Sequence, residues 1–91
     1  MAIVTLRYWA AAKDAAGVAE DKVEAHTLAQ ALAAAIAAAA ERPGDSARRL
    51  RQVMTRSSFL VDGQPAGTRP PSSIALYADA VIEVLPPFAG G

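Results

Sequence analysis

The fifteen-residue run TLAQALAAAIAAAAE, positions 27–41, can fold into little but an α-helix, and the rest of a 91-residue chain has to be arranged around it. Leu28, Leu32 and Ile36 recur every four residues, so they are expected to stack along one face and form its core stripe. Thr27 and Gln30 supply a T-x-x-Q capping box at the start, and Arg42-Pro43-Gly44 supplies a stop. Alanine, which fills most remaining positions, is the strongest helix former. A helix with one apolar stripe needs a second layer to bury it against.

The flanking segments offer that layer. Residues 3–9, IVTLRYW, alternate as a strand with Val4, Leu6 and Tyr8 on one face and Ile3, Thr5, Arg7 and Trp9 on the other. AAKDAAG reads as a turn-bearing connection ending at Gly17, and VAEDKVEA as a second strand forming a hairpin with the first. After the long helix, DSARRLRQVM reads as a short second helix with Leu50, Val53 and Met54 inward and Arg48, Arg49, Arg51 and Gln52 outward. SSFLVDGQP is a short strand running into an Asp62-Gly63 turn. GTRPPSS is a loop, because adjacent prolines exclude helix and central strand. IALYADA is irregular, and VIEVL is the last strand, with Ile82 and Val84 inward and Val81, Glu83 and Leu85 outward. The order β-β-α-(α)-β-β specifies a small α+β roll with a mixed sheet of four to five strands and the long helix across it. Its first and last strands lie side by side at the centre. Residues 1–85 form the domain, and 86–91 form a flexible C-terminal tail.

Composition narrows the chemistry. Nine basic residues balance nine acidic ones, so nothing in the overall charge points to nucleic acid or an anionic membrane. The 53% apolar content overstates the core, since 23 of the residues are alanine. No stretch approaches a membrane span, the start MAIVTLRYW lacks a secretory signal pattern, and a cytoplasmic protein is expected. With no cysteine and the single His26, neither a thiolate- or His-based metal site, a thiol nucleophile nor a His-based triad can be assembled. His26 reads as a surface or capping residue. Asp79 and Glu83 are too far apart on a strand for paired-carboxylate catalysis. The cluster ARRLRQVMTR fits a solvated helix face or a docking patch for an acidic protein better than a nucleic-acid site, because Leu50, Val53 and Met54 are interleaved in it.

Two features remain. Trp9 and Leu85 point away from the helix side of adjacent strands, so they are expected to form an apolar patch suited to a partner. Beyond them the sequence ends PPFAGG. Pro86 and Pro87 favour an extended exit, Phe88 can anchor in a pocket, and Ala89, Gly90 and Gly91 can thread a narrow channel. Six residues past Leu85 reach about 20 Å. The only reactive group they deliver is the carboxylate of Gly91, and the pattern is that of a carrier whose C-terminus does the chemistry.

Taken with the strand order, this ending resembles that of the ubiquitin-like sulfur carriers, which have the β-grasp fold. VTLRYWAAAKDAAG is similar to the family's first strand and the segment after it, TLAQALAAAI to its long helix, FLVDGQPAG to its middle strand and turn, and AVIEVLPPFAGG to its acidic strand and Pro-Pro-x-x-Gly-Gly tail. Asp62-Gly63 stands where the family usually has Asn-Gly. The Pro-Pro favours the small subunit of molybdopterin synthase (MoaD-like) over the thiamine-pathway carrier (ThiS-like). The resemblance implies a non-catalytic carrier subunit that binds no cofactor. An E1-like adenylyltransferase/sulfurtransferase would use ATP to adenylate Gly91 and convert it to a thiocarboxylate. The tail, Pro86 to Gly90, would enter the large synthase subunit, in a complex expected to be a heterotetramer, and sulfur would pass to cyclic pyranopterin monophosphate. Trp9, Leu85 and Leu60 would contact the partner. The alternatives are a carrier for thiamine or cysteine biosynthesis and a ubiquitin-like protein modifier.

Overall fold

The computed structural model describes residues 2–87. Strand β1, Ala2–Tyr8, alternates along its length: Ala2, Val4, Leu6 and Tyr8 are buried and Ile3 and Arg7 are exposed. It pairs antiparallel with β2, Glu20–Ala25, in a register running from Ala2 opposite Ala25 to Arg7 opposite Glu20. On its other side lies β5, Val81–Leu85, in parallel, with Thr5 opposite Val81 and Tyr8 opposite Val84. Strand β3, Ser58–Val61, runs antiparallel to β5 and carries the two-residue β4, Gln64–Pro65, at its edge. The sheet order is β2-β1-β5-β3-β4, so the first and last strands do adjoin near its centre. The β3–β4 turn has positive φ at both central residues, 50° at Asp62 and 81° at Gly63, as a two-residue hairpin loop of the primed type requires. Asp62 is well chosen there. Its N–H donates to the Val81 carbonyl at 2.8 Å, and its Oδ1 accepts from the Val81 N–H at 2.9 Å.

The long helix, named α2 here because a helix precedes it, spans Leu28–Ala40. Thr27 Oγ1 accepts from the Gln30 N–H at 3.2 Å, and Gln30 Oε1 accepts from the His26 N–H at 2.7 Å. The capping box is therefore closed, one residue earlier than the usual reciprocal bond. The buried seam differs from the expected Leu28-Leu32-Ile36 stripe. Leu28, Ala31, Ala35 and Ala39 are fully buried, whereas Leu32 and Ile36 are only half-buried on one shoulder. A methyl group lets the helix lie close on the sheet; the larger side chains turn toward α3, Ser46–Met54, which the helix also packs against. In α3 the inward residues are Leu50, Val53 and Met54, and Arg48, Arg49, Arg51 and Gln52 are exposed.

AAKDAAG is not a turn. Ala11–Ala16 form a helix, α1, closed by Gly17 in the left-handed region (φ 80°), whose N–H donates to the Lys13 carbonyl at 3.0 Å. An isolated helix of six residues is not stable in water, and this one has neither a capping side chain nor a large apolar residue that would signal it. It exists because Ala12, Ala15 and Ala16 are buried, with α1 packed on α3. GTRPPSS is a loop except for a single 3-10 turn at Pro71–Ser73. Within IALYADA, Ile74 and Leu76 are buried, and Ala75 bridges to Thr27, which ties this connection to the start of α2.

Enlarging the alanine seam is expected to be costly. Ala35→Leu should destabilise the domain by about 1–3 kcal/mol through overpacking, while Ala33→Leu on the exposed side should change stability by less than about 0.5 kcal/mol. Urea titrations of the two variants followed by circular dichroism check this contrast.

Candidate functional site

The tail leaves from β5, which is flanked by β1 and β3. The exit is therefore held on both sides: the Trp9 N–H donates to the Val84 carbonyl at 3.3 Å, and Ser58 pairs with Leu85. Pro86 is buried and Pro87 exposed, so the folded body runs one residue past the expected boundary at Leu85. Phe88, Ala89, Gly90 and Gly91 lie outside the described residues.

The sheet face opposite the helices is open. Trp9, 45% exposed, sits one step beyond the Tyr8–Val84 pair, which makes Leu85 its register neighbour. Leu60 lies opposite Glu83 on the same face, and both it and Leu85 are half-buried. The three residues expected to contact a partner thus share one face of three adjacent strands. Farther along β1, Ile3 is 46% exposed on that face. A row of charge crosses it: Glu20, Arg7 and Glu83 are consecutive in register, with Arg7 Nε 3.8 Å from Glu20 Oε2. An apolar surface crossed by one charged row has the make-up of a protein interface. Tyr77, 76% exposed, stands on the connection leading into β5; its loop gave no periodicity from which exposure could be read.

The end of β1 is fixed by a polar cluster that no motif announced. Tyr8 is buried, and its hydroxyl donates to Asp21 Oδ2 at 2.8 Å. Asp21 is in turn paired with Arg42, whose Nη1 donates to the Ala16 carbonyl at 2.9 Å. Arg42, expected only to help stop the helix, thus joins the end of α2 to α1 and β2. Burial and the bond to Asp21 push the Tyr8 phenol far above its ordinary range, because ionising it would put a second negative charge beside the carboxylate. The turn next to this cluster is strained: Ala10 has φ 49°, and the Trp9 carbonyl accepts from the Ala12 N–H at 2.9 Å. That bond closes the turn directly under Trp9.

His26 is an exposed residue whose backbone N–H donates to Gln30 Oε1, while the capping side chain of α2 is that of Thr27. Among the described residues, no group of three or more His, Asp or Glu side chains could hold a metal ion, and no helix is long and apolar enough to cross a membrane.

No family model and no curated protein sequence matches the chain. Solved structures do. The small archaeal modifier protein 1 of Methanosarcina acetivorans superposes with a TM-score of 0.77 at 20% identity, covering 100% of this chain and 98% of that one. A protein assigned as molybdopterin-converting factor subunit 1 of Pyrococcus furiosus gives 0.71 at 15% identity, over 96% and 99%. A chain from the complex of subunits 1 and 2 of the Helicobacter pylori molybdopterin-converting factor gives 0.64 at 19% identity, over 98% and 99%. Near-complete coverage in both directions makes this a ubiquitin-like β-grasp fold, shared with modifier and converting-factor proteins.

Tyr8→Phe tests the cluster. Removing the hydroxyl should cost about 1 kcal/mol of stability at neutral pH. The folded-state pKa of Tyr8 is raised above its ordinary 10.0, so its contribution is complete below that pH and is lost as pH rises beyond it. The stability gap between wild type and Tyr8→Phe should therefore be flat from pH 7 to about pH 10 and shrink above it, as urea titrations across this range would show.

Proposed function

We propose that this chain is a cytoplasmic sulfur carrier that works through the carboxylate of Gly91, and that it serves as the small subunit of molybdopterin synthase. The observation that carries the reading is the placement of PPFAGG. The sequence follows directly from a near-central strand, anchored by Pro86, and beside the exit lies an open face bearing Trp9, Leu85 and Leu60. A partner that grips this face meets the chain where Pro86 follows the last strand.

The chemistry follows from what a carboxylate lacks. It is a poor electrophile until an activating E1-like enzyme joins it to AMP from ATP, releasing pyrophosphate. Sulfide then displaces AMP and leaves a thiocarboxylate; where the donor is a persulfide, an acyl disulfide forms first, and a second thiol of the activating machinery splits it, releasing the thiocarboxylate and forming a disulfide with the donor. On transfer, the acceptor gains the sulfur and Gly91 regains an oxygen derived from water. Two such transfers to cyclic pyranopterin monophosphate would furnish a dithiolene. The large subunit would supply the active site, and a heterotetramer of two carriers and two large subunits suits this stoichiometry. ATP is consumed by the activating enzyme, and the carrier itself needs no bound cofactor. With no cysteine in the chain, sulfur carried on the terminus has no competing thiol.

A second reading keeps the activation step but ends in an isopeptide bond to a lysine of another protein. It is favoured by the small archaeal modifier proteins among the structural neighbours. A carrier serving thiamine or cysteine biosynthesis would differ only in its acceptor.

The test is mass spectrometry after thiol alkylation of chain incubated with ATP, a sulfur source and cell extract. An alkylated sulfur on the Gly91 peptide is the expected result, and its absence in an extract that charges a known carrier would reject the proposal. Deleting Gly90-Gly91 should abolish labelling and leave Tm unchanged to within about 2 °C, since the last few residues of a domain usually contribute little. Trp9→Ala should leave labelling by excess activating enzyme intact and weaken capture by a molybdopterin synthase large subunit at least about tenfold, in the manner of an aromatic hot spot. Lysine-linked adducts on denaturing gels would instead favour the modifier.

A further inference from the structure

On the side of the molecule away from the open sheet face, α2 and α3 leave a groove between them. Its floor and walls are Leu32 and Ile36 of α2, Met54 of α3, Phe59 of β3 and Pro71 of the 3-10 turn, with Arg51 on the rim. Leu32 and Ile36 are the larger apolar side chains of α2 that stand beside its alanine seam, and they and Phe59 are only half-buried.

The charge around the groove is one-sided. From Ser46 to Val61 the chain carries four arginines, Arg48, Arg49, Arg51 and Arg56, and no acidic residue. Along the facing helix α2 there is no charged side chain; Glu41, just past its end, Asp45, just before α3, and Asp62, in the turn after β3, are the nearest acids in sequence. Asp45 is bonded to Arg48 at 2.6 Å, and that contact holds its carboxyl below the usual range. Among the described residues Arg49, Arg51 and Arg56 have no acidic partner within salt-bridge distance. Arg51 and Thr55 follow one another at helical spacing on the groove side of α3, and Arg51 places its positive charge on the rim. The overall neutral charge conceals this segregation: the compensating carboxylates Glu20, Asp21, Glu24 and Glu83 sit on the sheet.

We propose that this groove is a second docking site, distinct from the tail and the open sheet face, for a short amphipathic acidic segment of a partner protein. Apolar side chains of that segment fill the space between Leu32, Ile36 and Met54, and a carboxylate of the segment meets Arg51. This is the helix-in-groove mode of peptide recognition, with apolar anchors at i and i+4 spacing. Charge complementarity sets the sign of the partner, and the apolar floor sets its class. A phosphodiester backbone satisfies arginines but brings no aliphatic side chain to fill the groove, so nucleic acid leaves the larger part of the site unused.

The probe is a phage-displayed library of randomised peptides selected on the full chain, followed by fluorescence anisotropy with a synthetic copy of the peptide most enriched. Enriched sequences should combine leucine, isoleucine or phenylalanine with aspartate or glutamate. Replacing their acids by amides should weaken binding at least about tenfold, the scale expected of charge-assisted contacts. Two exposed substitutions divide the site into its parts without touching the core. Arg51→Glu should weaken binding at least about tenfold by reversing the rim charge. Ala33→Lys adds positive charge but fills the groove, so it should also weaken binding; equal or tighter binding would mean charge alone is recognised and would overturn the proposal. An absence of an acidic-apolar consensus, or displacement of the peptide by a single-stranded oligonucleotide that binds at least as tightly, would overturn it too. Removing Gly90-Gly91 should leave the affinity unchanged, which separates this site from the carrier chemistry.

Discussion

The parallel contact between β1 and β5 is the constraint from which the rest of the structure follows. Placing the two ends of the domain side by side near the middle of the sheet forces every other element into the connection between them. Parallel neighbours cannot be joined by a tight turn, and here the crossover contains all the other elements. The same contact fixes where function can reside. The strand that precedes Pro86 is paired on both sides, with β1 and with β3. The patch of Trp9, Leu85 and Leu60 is simply the outer surface of that central pairing.

Alanine shapes the other side. A seam of Leu28, Ala31, Ala35 and Ala39 buries little area per residue but lets α2 settle close on the sheet. The larger side chains then pack sideways toward α3. Alanine also makes α1 possible, where three methyl groups meet α3. This economy leaves Leu32, Ile36 and Phe59 partly uncovered, and the groove and its arginine edge follow from it. The edges of the sheet are kept from further pairing by simple means: β2 carries Glu20, Asp21, Lys22 and Glu24, while β4 is two residues long and includes Pro65. Charge and proline at edges discourage strand addition.

Much of this was legible in the residues. Alternation in IVTLRYW and VIEVL assigned the inner and outer sides of the two central strands, because one face of each meets a core and the period of two leaves no ambiguity. Capping chemistry at Thr27 and Gln30 marked the helix start. Legibility failed where the deciding contact lay far away in sequence. Helix α1 has no cap and only alanines to bury, so its signal is the presence of α3 some thirty residues later. The stripe on α2 was read from the largest residues, whereas the sheet selects the smallest. Arg42 looked like part of a helix stop, yet it is the link between Ala16 and Asp21, and no local pattern encodes a partner more than twenty residues distant. At the candidate site, the residues on the outer sheet face could be listed from alternation alone; their convergence across three strands required the register.

The central pairing also has a consequence in time. On the ribosome β1 is made before β5, so the hairpin of β1 and β2 and the long helix emerge without the strand that completes their sheet. Long-range pairing of this kind comes late, since the loop-closure entropy must be overcome before the contact rewards it. Until β5 leaves the exit tunnel, one side of β1 remains an open edge beside uncovered Val4, Leu6 and Tyr8. A chain cut short anywhere before Val81 lacks the strand on which the core closes. Folding therefore waits on β5: the sheet closes only after the strand that lies between β1 and β3 has been made.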